Sequence, residues 1–286
     1  MKKLLVIFLF WFTSCNGQTQ ILGIEKFSVP AGVPILVVFA GESNAGGLGD
    51  NADATAPELA PRSLFILNNT TRASLDSLEV GVNNLIGHVG LIYAMNDGHG
   101  MELGLANIYA DGDFGGREVF LCKAGQGGTR IFQWDGVNTY TAESQTVNPY
   151  DTFLVRVQSA ITLVETLTGE TPFVVMFWSQ GINDMTASYN PEDWKVATKA
   201  VFAAMRSDLA IDLPIFTTEF QDVSGMSAYT AKIIEYEGEM ANIYGINTTG
   251  AEQAQLCCGV AAGGHWGYTG WKQIAATFAA ALISIL

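Results

Sequence analysis

The sequence predicts one three-layer α/β domain on a central, mainly parallel sheet of about five strands. Two observations carry that expectation. Short apolar runs rich in Val, Ile and Phe alternate with longer segments whose apolar residues recur at helical spacing. Most of the runs are continuous rather than alternating, as in strands covered by helices on both faces. The 286 residues, 49% of them hydrophobic, are enough to bury a substantial core. No Pro/Ser-rich linker, low-complexity tract or solenoid-spaced repeat divides them.

The fold is expected to occupy residues 33–286. Lys2 and Lys3 precede an apolar stretch at 4–12 that is too short to span a bilayer, which reads as a signal peptide over 1–14. Small residues lead to Cys15, a pattern resembling a bacterial lipoprotein signal; an ordinary signal peptide with an incidental cysteine is the alternative. Both readings imply export, and the first a lipid anchor at Cys15. Residues 15–32 read as a tether.

Five runs are the expected strands: PILVVFA (34–40), SLFILN (63–68), EVFLC (118–122), PFVVMFW (172–178) and LPIFTTEF (213–220). Helices are expected at 101–110, where Met101, Leu105, Ile108 and Tyr109 share a face, and at 151–167 on the stripe Phe153, Val157, Ile161 and Val164. Another starts at Pro191 beside acidic residues. Segment 227–245 reads as a helix ending at Gly245, and 268–286 as a buried terminal helix. The polar, aromatic stretch 135–150 reads as a surface loop.

The formal net charge is −14, and −16 once Lys2 and Lys3 are removed with residues 1–14. Such a chain repels phosphate backbones and anionic lipid surfaces, which excludes nucleic acid as a partner. Of four cysteines, Cys15 is the acylation candidate, leaving Cys122, Cys257 and Cys258. Three are no disulfide framework, although Cys122 could pair with Cys257 or Cys258. With three histidines and neither CxxC nor HExxH, no metal site or cofactor is expected.

Sites in open α/β sheets form where strands end. Three expected strands run into glycine-containing polar loops: GESNAGG (41–47), KAGQGGTRIFQW (123–134) and WSQGIND (178–184). Ser43 is either a helix cap or a nucleophile. A nucleophilic serine needs a base, and His88, His99 and His265 are the candidates. Each motif alone has a plain reading: GIND as a turn, His265 as a structural histidine, and Trp134, Trp178 and Trp266 as core aromatics rather than a sugar-stacking rim.

Taken together, GESNAGG, AGQGGTRIFQW, WSQGIND and GGHWGYTGW resemble, in order, the four sequence blocks of SGNH hydrolases. In detail they are similar to the sialate O-acetylesterase and carbohydrate esterase family six branch, from Pro34 to the end of the chain. The resemblance implies a flavodoxin-like sandwich and a carboxylic ester hydrolase that removes acetyl groups from carbohydrate, without cofactor or metal. It makes Ser43 the nucleophile and His265 the base. The Gly127 N–H (or that of Gly125) and the Asn183 amide would join the Ser43 N–H in an oxyanion hole. Glu42, Asn44, Gln180 and Trp266 become candidate substrate contacts.

The chain departs from the pattern twice. Where many SGNH hydrolases carry an aspartate three residues before the histidine, position 262 is alanine. A backbone carbonyl, or Asp184, Glu102 or Glu42, would then have to orient His265, or the site is slow or silent. The first-block glutamine is Glu42 and the third-block glutamate is Ile182, as if a carboxylate had moved between loops. The rival expectations are a silent glycan-binding lipoprotein and an SGNH lipase or thioesterase.

Overall fold

A computed structural model describes residues 27–47, 49–50, 54–55, 64–68, 71–78, 98–110, 112, 114–142, 145–253, 256–257, 260–261 and 264–286. The expected signal peptide, Cys15, His88, Cys258 and Ala262 lie outside the described residues. The sheet has seven strands: β1 (Ile35–Gly41), β2 (Phe65–Leu67), β3 (Leu75–Ser77), β4 (Val119–Lys123), β5 (Phe173–Ser179), β6 (Ile215–Thr218) and β7 (Ile243–Ile246). Their order is β7-β6-β5-β1-β4-β2-β3, parallel except for the β2–β3 pair.

All five expected strands are present, and two more extend the sheet. The expected helix running to Gly245 instead ends at Glu239, and residues 243–246 form the edge strand β7. Gly245 does not cap that helix. A Cβ there would meet the ends of the Glu219 and Glu237 side chains at 2.3 and 2.6 Å, so both carboxylates lie against this glycine. Strand β3 is three residues of partly exposed chain paired antiparallel to β2. The expected loop at 135–150 contains a small hairpin, Tyr140–Ala142 against Gln145–Val147.

The helices are α1 (Ser43–Gly46), α2 (Met101–Ala110), α3 (Pro149–Thr168), α4 (Ile182–Thr186), α5 (Pro191–Leu209), α6 (Ser227–Glu239) and α7 (Tyr268–Ile285). α3 and α5 start the same way. Asn148 and Asn190 each accept two N–H bonds from the first turn, with proline at the next position. Successive side chains of β5 point to opposite layers. Phe177 meets Phe278 of α7 at 6.0 Å, while Trp178 meets Phe202 of α5 at 5.3 Å. α2 packs on α7, and α3 and α6 flank α5. No helix among the described residues is long and apolar enough to cross a membrane. The described end of the expected tether is docked: Phe27 rests on Phe173 and donates its N–H to Ile285 O at 2.9 Å.

β1 sits between β4 and β5 with all seven residues buried. Each large aliphatic or aromatic side chain buried this way contributes roughly 1.5–3 kcal/mol, which anchors β1 in the core. The strand order reverses at β1, so the loop that follows it opens at the topological switch point.

Candidate active site

Gly41 ends β1 with φ +113°, and a Cβ there would meet Ser179 O at 2.1 Å. That glycine lets the chain turn against the end of β5, where the Glu42 N–H donates to Ser179 O at 2.8 Å. The second loop closes on the other side. Gln126 N–H donates to Gly41 O at 2.8 Å, and a Cβ on Gly125 would meet Ala45 Cβ at 3.0 Å. The loops after β4 and β5 thus close from either side on residues 41–45, the loop after β1.

Ser43 is the first residue of α1; Glu42 occupies the cap position and makes no side-chain cap bond. The Ser43 hydroxyl turns to His265, with Oγ to Nε2 at 2.8 Å. Ser43 is 8% exposed. Asn44 Nδ2 donates to Gly264 O at 2.9 Å and so ties the histidine loop to the serine loop. Burial pulls the His265 pKa down to about 4, which leaves the imidazole neutral at pH 7 and able to accept a proton. A neutral imidazole hydrogen-bonded to a serine on a helix start is arranged to generate an alkoxide nucleophile.

The carboxylates considered as orienters of His265 are all engaged elsewhere. Glu102 Oε1 lies 2.9 Å from Lys123 Nζ and accepts the Gly100 N–H at 2.8 Å. Lys123 also donates to Gly46 O at 2.6 Å, so this buried pair braces the far end of α1. Asp184 accepts the Ile131 N–H at 3.0 Å and the Gln180 amide. Burial raises its pKa to about 6. Glu42 accepts from Gly181 N at 2.8 Å, Ile182 N at 2.6 Å, Asn183 N at 3.3 Å and the Asn183 side-chain amide. Burial pushes the Glu42 carboxyl up to about 8, with Asp184 adding to the rise and the backbone N–H groups opposing it.

The four residues expected to touch substrate hold the loops instead. Glu42 is fully buried beneath the third loop. Asn44, 1% exposed, bridges to Gly264. Gln180 gives its amide N–H to Asp184 and accepts the Trp194 indole N–H at 2.7 Å, which leaves it deep in the core. Trp266 is fully buried, stacked at 17° on Phe220 and edge-on to Trp271. Trp134 and Trp178 are core aromatics too, 5.1 Å apart. No sugar-stacking rim is formed by these tryptophans.

Gly127 is buried in the second loop and Asn183 is partly exposed at the start of α4. The brace within the second loop was not foreseen: Thr129 Oγ1 donates to Gln126 O at 2.7 Å and accepts the Trp134 N–H at 3.0 Å. The threonine and tryptophan of GGTRIFQW are its sequence signal. His99 is fully buried, edge-on to Tyr268. Cys122 is a free buried thiol, so the suggested bridge from it is not made. No cluster of three or more His, Cys, Asp or Glu able to hold a metal occurs among the described residues.

Residues 35–283 match the family model "Carbohydrate esterase, sialic acid-specific acetylesterase". No curated protein sequence matches the chain. Among solved structures, a protein from Arabidopsis thaliana is similar at TM-score 0.65 and 18% identity, over 88% of this chain and 98% of that one. A carbohydrate acetylesterase from Xanthomonas citri is similar at TM-score 0.54 and 10% identity, over 87% of this chain and 56% of that one. At these identities the likeness is one of fold alone, a mixed α/β architecture on a mostly parallel sheet. The family match spans nearly the whole domain, so this chain belongs to the carbohydrate esterase family of sialic acid-specific acetylesterases and is an ester hydrolase.

Proposed function

We propose that the protein is an exported O-acetylesterase that removes acetyl groups from a glycan through an acetyl-Ser43 intermediate. The Ser43 Oγ to His265 Nε2 hydrogen bond carries the reading. His265 takes the hydroxyl proton as Oγ attacks the acetyl carbonyl carbon. The N–H groups of Ser43 and Gly127 and the Asn183 amide receive the oxyanion; as the first helical residue, Ser43 has no intrahelical partner for its N–H. His265 returns the proton to the departing sugar oxygen. Water then attacks the acetyl-enzyme with His265 again as base, releasing acetate. Export, and a lipid anchor at Cys15, rest on the basic and apolar N-terminal sequence ending in a cysteine.

The absence of a described carboxylate on His265 favours one rival, a silent glycan-binding protein. Fluorophosphonate labelling separates the two. Wild type is expected to label on Ser43 at least 10³-fold faster than Ser43→Ala, and equal rates would leave the silent reading standing. Acetate release from acetylated xylan, compared with O-acetylated sialic acid, then assigns the glycan.

A further inference from the structure

We propose that Glu42 is a positioning residue that holds the Asn183 amide in the orientation that donates to the oxyanion. The proposal rests on the acyl-enzyme reading above. Glu42 is fully buried and adjacent to Ser43, yet its side chain spends nothing on the serine or on His265. Its carboxylate reaches across to the third loop, where both oxygens act as acceptors. Oε1 takes the N–H groups of Gly181 and Ile182 at 2.8 and 2.6 Å. Oε2 takes the N–H of Asn183 at 3.3 Å and the Asn183 side-chain amide.

That last contact selects a rotamer. An asparagine amide presents either its NH₂ or its carbonyl oxygen to a neighbour. Against a carboxylate oxygen only the NH₂ is attractive; the flipped amide would set two acceptors face to face. The amide has two N–H groups, and one is given to Glu42. The second remains on the same nitrogen, and Asn183 is the one side chain of the Glu42 cradle that is only partly buried. The same carboxylate also anchors the backbone that carries Asn183, so position and orientation are fixed together. Ile182 has no polar group with which to do this from within the loop. Asp184, the nearest other acid, is tied to Ile131 and Gln180.

A merely structural Glu42 would give a different kinetic result. The test measures kcat and KM on p-nitrophenyl acetate at about pH 9, where Glu42 is ionised, and thermal unfolding, for wild type, Glu42→Gln, Asn183→Ala and the double variant. A glutamine offers one acceptor oxygen where the cradle needs two, so Asn183 loses its fixed partner. Each single change is expected to lower kcat by about 10²–10³, with KM altered less than about threefold. The double variant is expected to be no slower than Asn183→Ala alone, because the two residues act as one unit. Multiplicative losses, or a folded Glu42→Gln with wild-type kcat, would overturn the proposal. Glu42→Asp keeps the charge but is one methylene short of Asn183; it carries the same expectation and replaces Glu42→Gln if that variant does not fold. Ser43 labelling is followed in parallel. Wild type that fails to label overturns both this proposal and the acyl-enzyme reading, whereas normal labelling with an unaffected Glu42→Gln overturns this one alone.

Discussion

Burial is the one influence that moves the His265 imidazole, and it holds the pKa near 4. A depressed base is neutral over most of the pH range, but the imidazolium it must form in the transition state has no described counter-charge. In a serine triad, disabling the acid costs roughly 10⁴ in rate, so a slower dyad is the expectation here. Glu42 titrates separately. Its cradle needs an acceptor on both oxygens, which is the ionised form, so rate is lost as pH falls through about 8. The kcat/KM profile of wild type is therefore expected to show a limb near 8 that Glu42→Gln removes, leaving the His265 limb near 4; a limb near 6.5 in both would contradict the assignment. Ser43 and His265 were legible in the sequence because four ordered blocks carry them. The duties of Glu42, Gln180 and Trp266 were not, because a polar or aromatic residue beside a nucleophile reads alike whether it faces substrate or the core. Burial separates the two, and for Glu42 it is decided by a loop about 140 residues away in the chain.

Elements with a single strong pattern were readable, and those set by packing were not. β1, β4 and β5 announce themselves as continuous apolar runs because helices cover both faces. β7 falls inside the segment that reads as a helix ending at Gly245, because a glycine there is a plausible helix stop; the helix instead breaks after Glu239 and the next residues pair with β6. β3 is too short and polar to signal at all. The β1–α1 junction has a sharper requirement than any strand pattern shows. Gly41 combines φ +113° with a carbonyl 2.1 Å from where a Cβ would lie, and backbone cannot step aside as a side chain can. Gly41→Ala is expected to cost at least about 3 kcal/mol and to displace Ser43 from His265. Thermal unfolding and fluorophosphonate labelling should fall together; a stable variant that labels normally would show that the junction tolerates a side chain.

At the scale of the molecule, acids buried against their preference set how stability responds to pH. Glu42 is lifted to about 8 and Asp184 to about 6, both chiefly by burial. Glu237, packed over Gly245 beside Glu219, is lifted to about 8 by burial and then by that neighbour. A carboxyl raised above its unfolded value binds its proton more tightly when folded. Between about pH 4.5 and 8 the native state then holds more protons than the unfolded chain, and stability falls as pH rises. His265 acts oppositely, but only between about 4 and 6.5. One such carboxyl removes at most about 1.4 kcal/mol per pH unit within its window. The net charge of −14 adds self-repulsion that grows as the remaining acids ionise. The melting temperature is therefore expected to be several degrees lower at pH 8 than at pH 5.5, with added salt recovering part of the loss by screening. Glu237→Gln isolates one contributor away from Ser43 and His265. It keeps the shape, removes the charge, and should flatten the decline while leaving kcat unchanged. A decline as steep as in wild type would mean that Glu237 carries no such burden in the fold.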